Sequence, residues 1–169
     1  MPDLGTINYK ARHLEKTQVG PITIYVSDAG LARIEFGLMG EVRTGDSKLE
    51  QLAALALQEL TEYFFAGRRS FSLPIDWRGM NAYQELVLRA CYAIPYGQTR
   101  TYGELAKQTG KGAAGARAVG SIMARNPIPI VIPCHRVVGT DGKLHGYGSP
   151  GGVDDKARLL ALEGQRIVA

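Results

Sequence analysis

The chain has 169 residues, is 45% hydrophobic and carries a formal net charge of +4. That is enough for one domain or two small ones with a real core, which excludes a wholly disordered protein. No apolar run approaches the roughly 18 residues of a membrane helix, and Met1–Gly20 mixes charges with single apolar residues, so a cytoplasmic protein is expected.

In chain order, Arg12–Lys16, Ile22–Ser27 and Leu31–Phe36 are short β-prone runs, separated by the turn signals Gly20-Pro21 and Asp28-Ala29-Gly30. They predict a small antiparallel meander. Ser47 and Glu50 form a capping-box pattern, after which Leu49, Leu52, Ala53, Ala56, Leu60 and Phe64 recur at helical spacing as far as Gly67. Phe71–Ile75 reads as one more strand, and Asp76–Met80 with Gly79 as a boundary, giving an α/β domain over 1–79 and a second domain over 80–169.

The second half reads as mainly helical. Asn81–Ile94 is patterned by Leu86, Val87, Ala90 and Ile94 and ended by Pro95 and Gly97. Thr101 and Glu104 make a second capping box opening Tyr102–Thr109, and Gly110-Lys111-Gly112 then leads into a small-residue helix, Ala113–Arg125. Two short helices across a glycine turn fit a helix-turn-helix, but equally an ordinary helical hairpin. Ala113, Ala114, Gly115, Ala116, Ala118 and Gly120 leave one helix face nearly bare, with Arg117 projecting from it; such a face suits either a DNA groove or close helix packing. Residues 80–169 hold 11 Lys+Arg against 6 Asp+Glu, whereas residues 1–79 hold 9 against 10. The basic surplus of the second half fits a polyanion partner or plain solubility. No internal repeat or low-complexity tail is present.

Ile128–Pro133 is an apolar run of strand character, followed directly by Cys134, His135 and Arg136. Cys91 and Cys134 are too few for a disulfide framework, so each is a small buried hydrophobe or a reactive thiol. Cys91 sits in a helical pattern beside Val87 and Ala90 and reads as core, whereas the basic neighbours of Cys134 could lower a thiol pKa. In an extended chain Cys134 and His135 would point to opposite sides, which disfavours a direct protease-like dyad. A glycine-rich loop, Gly146–Gly152, then precedes a last helix, Val153–Glu163, closed by Gly164.

The segment Asn126-Pro-Ile-Pro-Ile-Val-Ile-Pro-Cys-His-Arg-Val-Val138 closely resembles the active-site block of the O6-alkylguanine-DNA alkyltransferases, the methylated-DNA–protein-cysteine methyltransferases. Ile94–Ala106, Ala116-Arg-Ala-Val-Gly120, Gly146-Tyr147 and Leu159–Gly164 match in the same order, so the resemblance is specific over about residues 80–165 and loose over 1–79. It implies a small RNase H-like sheet domain with a helix, followed by a mainly α domain with a winged helix-turn-helix. It also implies direct-reversal DNA repair, in which an alkyl group moves from O6 of guanine to Cys134, irreversibly and once per molecule. No cofactor and no metal are implied; the partner is double-stranded DNA carrying O6-alkylguanine, bound by a monomer with no obligate protein partner and no membrane.

Residue by residue, the resemblance makes Cys134 the acceptor, His135 its base through a water, Glu163 the group that orients His135, and Asn126 a brace of the turn. Tyr147 would donate towards the leaving guanine, with the Gly148 N–H near O6 and carbonyls around Cys134 and Val137 selecting guanine. Pro129, Val137, Gly148 and Met123 would form the pocket. Arg117 would fill the space of the extruded base, Tyr102 would press on the target phosphate, and Ala116, Ala118 and Gly120 would lie along the minor groove. Related sensor proteins carry Trp or Ala in place of the acceptor; a non-catalytic sensor or DNA-binding module is the rival reading, and a cysteine hydrolase a distant third.

Three departures stand out: Leu162 where the family usually has His, a loop at Gly148–Gly152 about two residues longer, and Ala82-Tyr83-Gln84 for Pro-Phe-Gln. An ion pair between Asp28 and Arg136 is a further expectation.

Overall fold

The computed structural model describes residues 7–40, 42 and 45–166. The chain divides into two compact units, Met1–Gly79 and Met80–Ala169.

In the first unit, β1 (Lys10–Leu14), β2 (Ile22–Ser27) and β3 (Gly30–Phe36) form an antiparallel sheet in the order β1-β2-β3. Ile22, Ile24, Val26, Leu31 and Ile34 are buried from it. They face α1 (Ser47–Phe65), which supplies Leu49, Ala53, Ala56, Leu60, Tyr63 and Phe64 at spacings of mostly three and four. The α1 cap is Asp46 rather than Ser47: its side chain accepts from the N–H groups of Lys48 and Leu49.

The expected strand at Phe71–Ile75 shrinks to one parallel bridge, Leu31 to Ile75. Pro74 has no N–H to give a ladder, and the Ser72 N–H and hydroxyl are both taken by the Glu59 carboxylate. The bridge needs close approach, because Leu31 N donates to Pro74 O at 2.8 Å and Asp76 N to Leu31 O at 2.8 Å. A Cβ on Gly30, whose φ is +133°, would fall 2.3 Å from that Pro74 oxygen.

The second unit is helical. α2 (Ala82–Tyr92) is capped by Asn81 and buries Val87, Leu88 and Cys91. α3 (Tyr102–Gln108) opens with both bonds of the capping box between Thr101 and Glu104. The expected helix over Ala113–Arg125 is instead a 3₁₀ turn, Ala113–Gly115, followed by α4 (Ala116–Ala124). α3 and α4 pack together as the helix-turn-helix, and α5 (Val153–Leu162) packs on the turn at Cys134. β4 (Arg100–Thr101) pairs in parallel with β5 (Val137–Val138), so the chain leaving Cys134 runs beside the start of α3. Among the described residues, no helix is long and apolar enough to cross a membrane.

Candidate active site

Ile128–Pro133 is a buried turn, not the strand that its apolar run suggests. Asn126 closes it: Nδ2 donates to Ile132 O at 2.8 Å, and Oδ1 accepts from Ile128 N at 3.0 Å. Ile132 N in turn donates to Ile128 O at 2.9 Å. The amide side chain thus satisfies backbone groups that a strand partner would otherwise take, while Pro129 and Pro133 offer no N–H to such a partner. Ile130 sits at φ +76°, a conformation costing a β-branched residue on the order of 1–3 kcal/mol. A turn held against such strain is a mark of a site with a geometric requirement.

This turn delivers Cys134 into a 3₁₀ turn spanning Cys134–Arg136, rather than the extended chain assumed above. Cys134 is 6% exposed and lines an open cleft of about 1200 Å³. Tyr102, Ala116, Arg117, Gly120, Met123, Tyr147 and Gly148 line the same cleft. Asn126, His135, Glu163, Pro129 and Val137 lie outside that lining; of these His135, Glu163, Pro129 and Val137 are buried. Ala118 is exposed on α4 but does not line the cleft.

Below the cysteine is a buried ionic cluster. His135 Nε2 lies 2.7 Å from Glu163 Oε1, and Arg136 grips the same carboxylate through Nε at 2.8 Å and Nη2 at 2.9 Å. Arg136 Nη1 donates to Ile94 O at 2.5 Å. Arg136 therefore has its partner in Glu163 within the second unit, and Asp28, for which a pair with Arg136 was expected, is met within the first unit by Arg78 at 2.8 Å. Burial pushes the Glu163 carboxyl up, but hydrogen bonds from His135 and Arg136 outweigh it and bring its pKa down to about 2. Burial also lowers the His135 pKa more than Glu163 raises it, so the ring is neutral. An ionised carboxylate only accepts, so Nε2 carries the proton and Nδ1 is left as the basic nitrogen. Nδ1 is buried with no hydrogen-bond partner among the described residues.

The Cys134 thiol is shifted upward, contrary to the sequence expectation. Burial raises it more than Asn126, the Lys156 charge and the N–H groups of Cys134 and His135 lower it. At rest it is a protonated thiol, and the same groups stand ready to stabilise negative charge on sulfur once a base removes the proton. Cys91 is fully buried, and desolvation drives its pKa well up, which makes it inert core.

Two residues of this neighbourhood escaped the sequence reading. Lys156 is 1% exposed and donates to Tyr102 Oη at 3.2 Å, with burial bringing its pKa down to about 8. Asp155 is 2% exposed and accepts from Ser149 and Gly151. In sequence, Asp154-Asp155-Lys156 reads as a solvated helix start; the one signal was the glycine-rich loop just before it. Among the described residues, no cluster of His, Cys, Asp or Glu could hold a metal ion.

Residues 11–77 match the 6-O-methylguanine DNA methyltransferase ribonuclease-like domain, and residues 82–165 match the DNA binding domain of the same family. A methylated-DNA–protein-cysteine methyltransferase of Mycolicibacterium paratuberculosis is 50% identical over 121 residues, covering 72% of this chain and 71% of that protein. One from Methanosarcina acetivorans is 41% identical over 153 residues, covering 88% and 95%. The crystal structure of Mycobacterium tuberculosis O6-methylguanine methyltransferase superposes with a TM-score of 0.75 at 35% identity, covering 97% of this chain and 96% of that one. A Mycobacterium tuberculosis OGT solved in complex with DNA gives 0.74 at 39%, covering 92% and 91%. The chain belongs to the 6-O-methylguanine DNA methyltransferase family.

Proposed function

We propose that this protein repairs alkylated DNA by moving the alkyl group from O6 of guanine to Cys134, once per molecule. The observation that carries this reading is the buried set Cys134, His135, Glu163 and Arg136, with Cys134 lining an open cleft and the basic nitrogen of a neutral histidine without a partner among the described residues.

In the reaction, the Cys134 proton passes through a water to His135 Nδ1, and the Glu163 carboxylate stabilises the imidazolium that forms. The thiolate attacks the alkyl carbon in line, the S–C bond forms, and the C–O6 bond breaks with its electron pair going to guanine. Tyr147, on the cleft wall, donates its hydroxyl towards the departing base, which ends protonated by the equivalent of the thiol proton. The product thioether has no easy leaving path, so the molecule is consumed.

O6 in a stacked base is beyond reach of a thiol at the floor of a cleft, so the nucleotide must be turned out of the duplex. Arg117 is exposed on α4 at the cleft rim and takes the space left by the base. Tyr102 bears on the target phosphate, and the small residues Ala116, Ala118 and Gly120 lie against the minor groove. Pro129 and Val137 act from behind the lining by shaping the backbone whose carbonyls meet the guanine, while Met123 and Gly148 touch it directly.

The test is incubation with a duplex carrying one O6-methylguanine, followed by intact and peptide mass spectrometry. One methyl on the Cys134 peptide, absent in Cys134→Ala, is expected; tight binding with no mass gain would establish the sensor reading instead.

A further inference from the structure

The first turn of α5 carries two ionisable side chains with almost no exposure, Asp155 and Lys156, and the transfer chemistry outlined above gives Asp155 no part. Both reach back to the loop between β5 and α5. Lys156 Nζ donates to His145 O at 3.1 Å. Asp155 Oδ2 accepts from Ser149 Oγ at 2.6 Å and from Gly151 N at 2.9 Å, and its Oδ1 accepts from Arg158 Nη1 at 2.7 Å. The loop is therefore tied at residue 145 and again at 149–151, and the three residues between the ties, Gly146, Tyr147 and Gly148, line the cleft with Cys134.

The ties matter because of what the loop is made of. Four of the seven residues from Gly146 to Gly152 are glycine, so an untied chain there would sample many conformations. The fit around the carboxylate is close: a Cβ on Gly151 would fall 2.5 Å from the Asp155 carboxylate carbon and both its oxygens. A carboxylate this deeply buried persists only where its oxygens are taken up by donors, and here three donors take them.

The geometry points to Asp155 as a positioning residue that fixes the Tyr147–Gly148 wall of the cleft and thereby sets the size of alkyl group admitted beside Cys134. The inference rests on the alkyl-transfer reading above. A tied wall holds a small alkyl carbon in line with sulfur and excludes a bulky group; an untied wall loses that alignment and yields to bulk.

The experiment compares Asp155→Ala, Ser149→Ala and Asp155→Asn with the wild type, measuring rates of alkyl uptake at Cys134 from duplexes carrying O6-methylguanine or O6-benzylguanine. Asp155→Ala and Ser149→Ala raise the benzyl-to-methyl rate ratio by about fivefold or more, the scale of one misplaced contact. Asp155→Asn stays within about twofold of wild type, because one amide oxygen can accept from both Ser149 and Gly151 and only the exposed Arg158 pair is lost. A ratio unchanged in both alanine variants, or shifted equally by Asp155→Asn, overturns the inference. Should the wild type take up no alkyl group, the transfer reading fails by itself, and amide hydrogen exchange decides the positioning role. Exchange at Gly146–Gly151 speeds up about tenfold or more in Asp155→Ala with α3 unchanged; unaltered loop exchange overturns it.

Discussion

Both units bury charge, but they use it differently. In the first, Asp76 accepts from Ser27 Oγ at 2.6 Å and from Arg78, and Glu59 holds Ser72 and Arg68. Each carboxylate ties a connecting segment to the sheet or to α1, and its partners satisfy it. In the second, Glu163 pairs with His135 and Arg136, Asp155 and Lys156 hold the loop that lines the cleft, and among the described residues one buried nitrogen of His135 has no partner. Burying an ion costs several kcal/mol unless it is paired, so both clusters must be paired to exist. What separates the second cluster from the first is the histidine nitrogen left over on the residue next to a thiol in sequence, not the burial.

The sharpest test of that difference is Glu163→Gln. It leaves Arg136 buried without its carboxylate, and the single amide oxygen that remains must serve both Arg136 and His135, so unfolding free energy falls by about 3–5 kcal/mol. Alkyl uptake at Cys134 falls by about a hundredfold or more, because the base loses the group that stabilises its charged form. Denaturant titration and single-turnover uptake read the two effects separately.

The same cluster can be titrated. Because the folded Glu163 pKa, about 2, lies below the ordinary 4.5, its contribution is whole above pH 4.5 and is lost as pH falls towards 2. His135 is also depressed in the fold, so the unfolded chain takes up its proton first, near pH 6.5, and stability begins to decline there. Urea unfolding from about pH 7 to about pH 3 therefore shows stability falling throughout, and in Glu163→Gln the fall below about pH 4.5 is smaller, leaving what Asp76 and the other paired carboxylates contribute.

Asp76→Asn probes the other unit. It costs about 1–3 kcal/mol, the scale of an impaired buried hydrogen-bond group, while uptake per folded molecule is unchanged. A loss of uptake in this variant would break the distinction between the two clusters. Arg117→Ala is smaller in stability and specific in function. Uptake from a duplex falls by about tenfold, since extrusion of the base loses its replacement, while uptake from free O6-benzylguanine base is unaltered. Thr101→Ala is the smallest change: loss of the α3 cap costs about 1 kcal/mol, read by thermal unfolding, with DNA binding reduced in proportion to fraying of the helix.

How much of this was legible beforehand follows from range. The Thr101–Glu104 capping box, the periodic core of α1 and the glycine turn between α3 and α4 are all specified by residues within a few positions of each other. Propensity, capping and periodicity act over that distance, so sequence alone determined these elements, and the motif around Cys134 carried the family with them. Where a nearer competitor existed, local reading chose wrongly, as with Ser47 against Asp46.

Only the tertiary structure decided the rest. An apolar run with strand propensity became a buried turn because the Asn126 side chain took over its backbone bonds and Ile130 was held at positive φ. Arg136 found its acceptor 27 residues away, and Asp155 and Lys156 became buried despite a sequence that reads as solvated. The physical reason is common to all three: a buried polar group must be paired, and which partner meets it depends on how the elements pack, not on its neighbours along the chain.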